Sequence, residues 1–113
     1  KVERAMELRG ARYLHVLVTC PLGWGSASHD SIRIARLAVE SGVFPVFEAE
    51  HGAVTNVSKI KHKLPVEEYL QRQQRFAHLF KTPQRTDIIE RIQQLADRNI
   101  RRYRLLDNVE RRA

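Results

Sequence analysis

The residues with the widest chemical reach lie in one short run, Cys20-Pro-Leu-Gly-Trp-Gly-Ser26. Cys20 is the single cysteine among 113 residues. A thiolate is a nucleophile and a soft metal ligand, and it becomes reactive beside a base or a positive charge. His15 and His29 are near Cys20 in sequence, but nothing in the sequence fixes them near it in space. Three roles stay open here: nucleophile, metal ligand, or a packed side chain after a buried strand. Gly23 and Gly25 match the first two glycines of a dinucleotide-binding Gly-x-Gly-x-x-Gly turn, but the third position is Ser28 and the pair follows Pro21. A zinc site needs clustered ligands. The histidines (His15, His29, His51, His62, His78) are scattered, with no Cys-x-x-Cys or His-Glu-x-x-His run. An iron–sulfur cluster would require further cysteines from outside this chain.

Two other groups invite a chemical reading. Glu48 and Glu50 are two apart at the end of an expected strand, so they share a face. Paired carboxylates can do acid–base work, but a solvated strand end is the favoured reading of these two. The run Lys59-Ile-Lys-His-Lys63 is basic but has no interleaved aromatics, so base stacking is not indicated. The net charge is +7, from 20 Lys and Arg against 13 acids. Such an excess attracts nucleic acid, anionic cofactors or an acidic partner, and equally suits a solvated surface. The Arg-rich end (Arg91, Arg98, Arg101, Arg102, Arg104) reads as a surface helix, partly neutralised by Asp97, Asp107 and Glu110.

These residues need elements to hold them. The length allows one small domain, and 42% apolar residues can form its core. One cysteine excludes an intrachain disulfide scaffold. No apolar run is long enough to span a membrane as a helix. No signal peptide is visible, so the cytoplasm is the expected compartment. Residues 1–9 suit a helix with Gly10 as its C-cap. Because Val2 to Leu8 already reads as mid-helix, Lys1 is expected to be a cut within a longer chain.

Arg12 to Thr19 is rich in β-formers and nearly continuous in apolar residues, which predicts a strand buried on both faces and ended by Cys20-Pro21. Asp30 is placed to cap a helix over Ser31–Ser41, with Ile32, Ala35, Ala38 and Val39 on its apolar face, Ile34 and Leu37 widening it, and Gly42 as its stop. Val43–Ala49 predicts a second strand, held to an edge by Pro45. Strand, loop, helix and strand make one parallel βαβ unit with a right-handed crossover. Two strands make no stable sheet, so the remaining strands are expected elsewhere. Residues 51–64 read as a basic irregular connector. Pro65 opens a helix with a stripe at Val66, Tyr69, Leu70, Phe76, Ala77 and Phe80; Pro83 breaks the chain. Thr86 is placed to cap a long last helix carrying Ile88, Ile89, Ile92, Leu95, Ala96, Ile100, Tyr103 and Leu106.

Three stretches together resemble a known family. They are Tyr13-Leu-His-Val-Leu-Val-Thr-Cys-Pro-Leu-Gly-Trp-Gly25, then Ile34-Ala-Arg-Leu-Ala-Val-Glu-Ser-Gly-Val-Phe-Pro-Val-Phe-Glu48, then Pro65-Val-Glu-Glu-Tyr-Leu70 with Gln74-Arg-Phe76. Over about residues 1–80 they resemble the C-terminal third of the thiamine-diphosphate-binding β subunit of 2-oxoacid:ferredoxin oxidoreductases, the pyruvate synthase type. The stretch Val54 to Lys63 departs from the shorter sequence expected there. The resemblance implies an α/β fold that is a fragment of a thiamine-diphosphate-binding fold, one parallel βαβ unit followed by two C-terminal helices. Residues 1–50 would be the βαβ portion, 51–64 the connector, and 65–113 a helical extension.

The implied reaction is oxidative decarboxylation of a 2-oxoacid, pyruvate by default, with coenzyme A, giving acyl-CoA, carbon dioxide and reduced ferredoxin. The implied cofactors are thiamine diphosphate, Mg2+ and [4Fe–4S] clusters. The implied partners are the other subunits and ferredoxin, with no membrane. Cys20 would ligate the cluster nearest the thiamine, while Gly23, Trp24 and Gly25 would border the cofactor site. The family's other cluster cysteines and its Gly-Asp-Gly…Asn diphosphate segment are not in this sequence, so this segment alone is expected to be inactive. The rival expectations are a non-enzymatic basic α/β interaction or nucleic-acid-binding module, and a redox-active thiol protein.

Overall fold

The helix α3 (Ser31–Glu40) is the element around which the core gathers. Ile34, Leu37 and Ala38 lie three and four residues apart, on one helical face, and all are fully buried. The computed structural model describes residues 1–107 and places five helices and one hairpin among them. These are α1 (Val2–Glu7), α2 (Pro21–Trp24), α3, β1 (Phe47–Glu50), β2 (Ala53–Val57), α4 (Val66–Leu70) and α5 (Thr86–Arg102). Short 3-10 turns stand at Ser28–Asp30 and Gln74–Leu79. Among the described residues, no helix is long and apolar enough to cross a membrane.

Val66, Tyr69 and Leu70 of α4, Leu79, and Ile89 and Ala96 of α5 close over the buried face of α3. Trp24, Leu17, Phe44 and Phe76 pack at the rim of this core. A smaller cluster of Ile60, Ile100 and Leu105 lies farther along α5, with Val57 and Tyr103 against it. Gly42 makes the α3–α5 approach possible. Its φ is +83°, and a Cβ there would fall 2.7 Å from Ile100 Cγ1 and 2.9 Å from the Ala96 carbonyl oxygen. The Gly42 carbonyl accepts from Asn99 Nδ2 at 3.0 Å. Gly42 is therefore both the predicted helix stop and the contact point between two helices.

The mixture of helices and a small two-stranded sheet is compatible with an α/β fragment, but among the described residues the expected parallel βαβ unit is not seen. Residues 12–19 run without strand pairing, and the sheet among the described residues is the antiparallel β1–β2 hairpin. The physical reason is the lack of a partner, since a strand needs ladder bonds that β-propensity alone cannot supply. Tyr13, Val16 and Val18 are 87%, 70% and 70% exposed. The second strand is Phe47–Glu50, not Val43–Ala49. Its partner Ala53–Val57 lies inside the stretch expected to be irregular. His51 (φ 50°) and Gly52 (φ 82°) form the tight turn between them. Phe47 pairs with Val57 across the hairpin and stacks on Tyr103, ring centroids 4.6 Å apart.

Other expectations shift by a residue or a role. The first helix ends at Leu8, and Gly10 lies beyond that cap at φ +102°. Asp30 stands at the N-cap of α3 without a capping hydrogen bond; its carboxylate faces Arg72 Nη1 at 3.3 Å instead. Ile32 points outward, 70% exposed. Pro65 is the N-cap of α4, and the expected helix is interrupted after Leu70, where the buried Gln73 turns the chain. Arg85, not Thr86, occupies the N-cap of α5 and pairs with Asp87 at 3.0 Å. Leu95 on α5 is half exposed. Glu110 lies outside the described residues.

Candidate functional site, the Cys20 loop

The Cys20 loop is built by a single helical turn. Pro21 occupies its first position, where the missing N–H costs nothing. The Trp24 N–H donates to the Cys20 carbonyl at 2.8 Å, and the Ser26 N–H donates to the Pro21 carbonyl at 3.0 Å. Gly25 closes the turn in the left-handed conformation, φ +64°. Cys20 is exposed, and its Sγ accepts from the Gly23 N–H at 3.3 Å. A Cβ on residue 23 would lie 3.1 Å from that sulfur, so Gly23 leaves the thiol room. No histidine bonds to Cys20 among the described residues, which leaves the nucleophile reading without its base.

Neighbouring segments hold this turn from one side. The Gln74 N–H donates to the Gly25 carbonyl at 3.1 Å. A Cβ on Gly25 would meet Gln74 Cβ at 2.5 Å, so the missing side chain serves this internal approach. The Arg75 guanidinium carbon sits 3.9 Å from the Trp24 ring centroid and 4.7 Å from that of Phe76. Arg75 Nε donates to Gln73 Oε1 at 2.7 Å, and its Nη2 donates to the Tyr69 hydroxyl at 3.3 Å. Gln73, 1% exposed, in turn donates to the Tyr69 carbonyl at 2.7 Å. The sequence shows the Gln74-Arg-Phe76 run but not these contacts of Arg75. An arginine between a buried Gln and an aromatic was its only local signal.

Among the described residues, no group of three or more His, Cys, Asp or Glu could hold a metal ion. Cys20 fits a cluster as one exposed thiolate whose sulfur accepts a single N–H. It fits only as a ligand completed from elsewhere. No described constellation suits magnesium and a diphosphate, so no step through thiamine diphosphate is derived from these residues.

Glu48 and Glu50 are brought together as expected, but with cations. Lys1 Nζ lies 2.7 Å from Glu48 Oε1, and Arg4 Nη2 lies 3.1 Å from Glu50 Oε1. The hydrogen bond from Lys1, aided by the Lys1 and Arg4 charges and opposed by burial, holds the Glu48 carboxyl below its ordinary range. This pair is an ion-paired anchor for α1, a helix with no buried residue of its own. Arg102 of the arginine-rich end lies over the Tyr103 ring at 5.5 Å, and Lys63 pairs with Asp97 at 2.7 Å.

No protein-family model matches the chain. Comparison with curated proteins gives a consistent answer. The chain is 44% identical to the pyruvate synthase subunit PorB of Methanosarcina barkeri, over 93% of this chain and 36% of that protein. It is 33% identical to the pyruvate synthase subunit PorB of Thermotoga maritima, over 96% of this chain and 34% of that protein. It is 36% identical to the ketoisovalerate oxidoreductase subunit VorB of Pyrococcus furiosus, over 72% of this chain and 27% of that protein. The chain spans about one third of the length of the pyruvate synthase subunits it matches. By these matches, over nearly its full length, the chain belongs to the β subunits of 2-oxoacid:ferredoxin oxidoreductases.

Proposed function

We propose that this chain is a C-terminal portion of an oxidoreductase β subunit in which Cys20 ligates the [4Fe–4S] cluster nearest the thiamine. The observation that carries the reading is the Methanosarcina match. It extends over 105 of 113 residues, which leaves at most eight outside it, so the Cys20 turn and the segment 73–76 packed against it both fall within. The exposed thiol, held open by Gly23, is the local feature that supports a ligand role over a packing role. The reaction is oxidative decarboxylation of a 2-oxoacid with coenzyme A, giving acyl-CoA, carbon dioxide and reduced ferredoxin. Pyruvate is the first candidate, since six of the matched relatives are pyruvate synthase subunits.

Thiamine diphosphate with Mg2+, held by parts outside this chain, would supply stabilisation of the substrate carbanion. This chain's own contribution is to present one thiolate, with Gly23, Trp24 and Gly25 bordering the site. Residues 12–19 would find in the rest of the subunit the strand partners they lack here. Residues 1–50 would then belong to the cofactor-binding domain, 51–64 to a connector, and 65–113 to a helical extension. The compartment is the cytoplasm, and the partners are the other subunits and ferredoxin.

The test is anaerobic isolation of the native polypeptide that contains Tyr13 to Gly25. Iron, co-purifying larger subunits, and ferredoxin reduction that depends on both a 2-oxoacid and coenzyme A are expected. An iron-free polypeptide without that activity would contradict the reading. The isolated 113-residue segment is expected to show no turnover.

A further inference from the structure

We infer that the outer face of α5 docks an acidic surface of a neighbouring subunit. Arg91, Leu95, Arg98 and Arg102 follow one another at steps of four, three and four residues. At 3.6 residues per turn they fall within a stripe roughly 60° wide. The buried Ile89, Ala96 and Ile100 lie on the opposite side, so the stripe faces away from the core. The three arginines are exposed, and Leu95 among them is 49% exposed. The basic connector joins the same end of the helix. The Ile60 N–H donates to the Leu105 carbonyl at 2.9 Å, and Lys59 Nζ donates to the Arg104 carbonyl at 2.6 Å. Lys61 is thereby brought to the helix end, exposed and with no ion pair among the described residues.

A solvated helix face does not account for this stripe. Such faces mix their charges, with acid and base four residues apart. Here Arg98 and Arg102 stand four apart with like charge. Neither Arg91 nor Arg98 has an ion pair among the described residues. Of the carboxylates on α5, Asp87 is taken by Arg85 and Asp97 by Lys63, and Glu90 lies off the stripe on its flank. The helix dipole favours cations in the last turn, which covers Arg101 and Arg102 but neither Arg91 nor Arg98.

Carboxylates on a partner would complete these groups. Arginine suits that role, because its planar fork meets a carboxylate through two hydrogen bonds. The half-exposed Leu95 offers an apolar centre for a polar rim to surround. Nucleic acid fits less well: Tyr103 is stacked on Phe47 at 4.6 Å and lies under Arg102 at 5.5 Å, so it offers no face to a base. A membrane surface needs an apolar face to insert, and that of α5 is buried in the core. The family to which the chain belongs consists of subunits, so a neighbouring polypeptide is at hand to carry the carboxylates. Cys20 plays no part in this surface.

The experiment compares the assembled oxidoreductase, isolated without oxygen, as the parent and with Arg98→Glu and Arg102→Glu together. Native mass across a salt series reads release of the β subunit. The double variant is expected to raise its dissociation constant at least about tenfold at low salt. The parent is expected to approach the variant as salt rises to about 1 M. Equal association and equal salt dependence in the two overturn the inference. Unchanged association with lost retention on duplex DNA or on anionic lipid vesicles overturns it too, and reassigns the stripe to that partner. If the double variant melts earlier in circular dichroism, Arg98→Gln with Arg102→Gln, which adds no carboxylate, decides in its place. Iron and ferredoxin reduction on the same preparations test the Cys20 reading separately. A parent complex without iron whose β subunit is still released by the variant contradicts that reading alone, and full iron with unchanged association contradicts this inference alone.

Discussion

Replacing Gly25 by alanine isolates what the neighbouring Gln74 requires of the Cys20 turn. Two costs add at that position. An L-residue at φ +64° costs about 1–2 kcal/mol for the left-handed conformation. The new methyl would also fall 2.5 Å from Gln74 Cβ, close to the backbone and not at a flexible tip, so the chain must shift. Overpacking of that kind costs a further 1–3 kcal/mol or so. Gly52→Ala is the control. Its φ is +82°, and nothing lies within 4 Å of the added carbon, so it carries the first cost alone. The loss of unfolded-chain freedom on Gly→Ala is common to both and cancels. Urea unfolding followed by Trp24 fluorescence, the one tryptophan of the chain, reads the difference at the site itself. With a urea dependence of about 1–3 kcal/mol per molar, Gly25→Ala should unfold roughly 0.3–3 M earlier than Gly52→Ala. Equal midpoints would refute the argument that Gln74 presses on Gly25.

Further outcomes follow from the same packing. Leu37→Ala empties a fully buried position in α3 and should destabilise the chain by about 2–5 kcal/mol, whereas the exposed Ile32→Ala should stay within about 0.5 kcal/mol; urea midpoints compare them. Burial pushes the Asp97 carboxyl up, but hydrogen bonds from Lys63 and Gln93 outweigh it and hold the group below its ordinary range. A carboxyl lowered on folding contributes stability above its unfolded value, near 3.9, that is lost as pH falls through the folded value. Asp97→Asn should therefore lose less stability than the parent below about pH 4, and identical acid unfolding in circular dichroism would contradict this. Lys1 and Arg4 hold α1 to Glu48 and Glu50 without apolar burial, so about 1 M salt should raise amide exchange over residues 2–7 and leave α3 protected. Equal protection of α1 at low and high salt would show that something else holds it.

Local pattern carried the helices well. The apolar spacing of Ile34, Leu37 and Ala38 and the stop at Gly42 placed α3 within a residue. The stripe from Ile88 to Ile100 placed α5. Non-local facts were not legible. Residues 12–19 have strand composition, but pairing depends on a partner that no local window contains. The hairpin is hard to read locally because Ala-Val-Thr-Asn-Val alternates weakly and His51-Gly52 does not resemble the usual Asn-Gly turn. The single helix expected after Pro65 fails at Gln73, whose side chain bonds back to the Tyr69 carbonyl inside the core. The Cys20 turn itself was visible as a motif. Its support was not, because Arg75 meets Trp24 across some fifty residues of sequence and only in three dimensions.

In the proposed function, Cys20 holds iron in the assembled oxidoreductase. Iron and acid-labile sulfide per β subunit, measured on anaerobically isolated parent and Cys20→Ser complexes of equal subunit composition, test it most directly. The variant is expected to lose one cluster's iron or its spectroscopic signature while the subunits still assemble. Full iron with an unaltered signal in Cys20→Ser would contradict it.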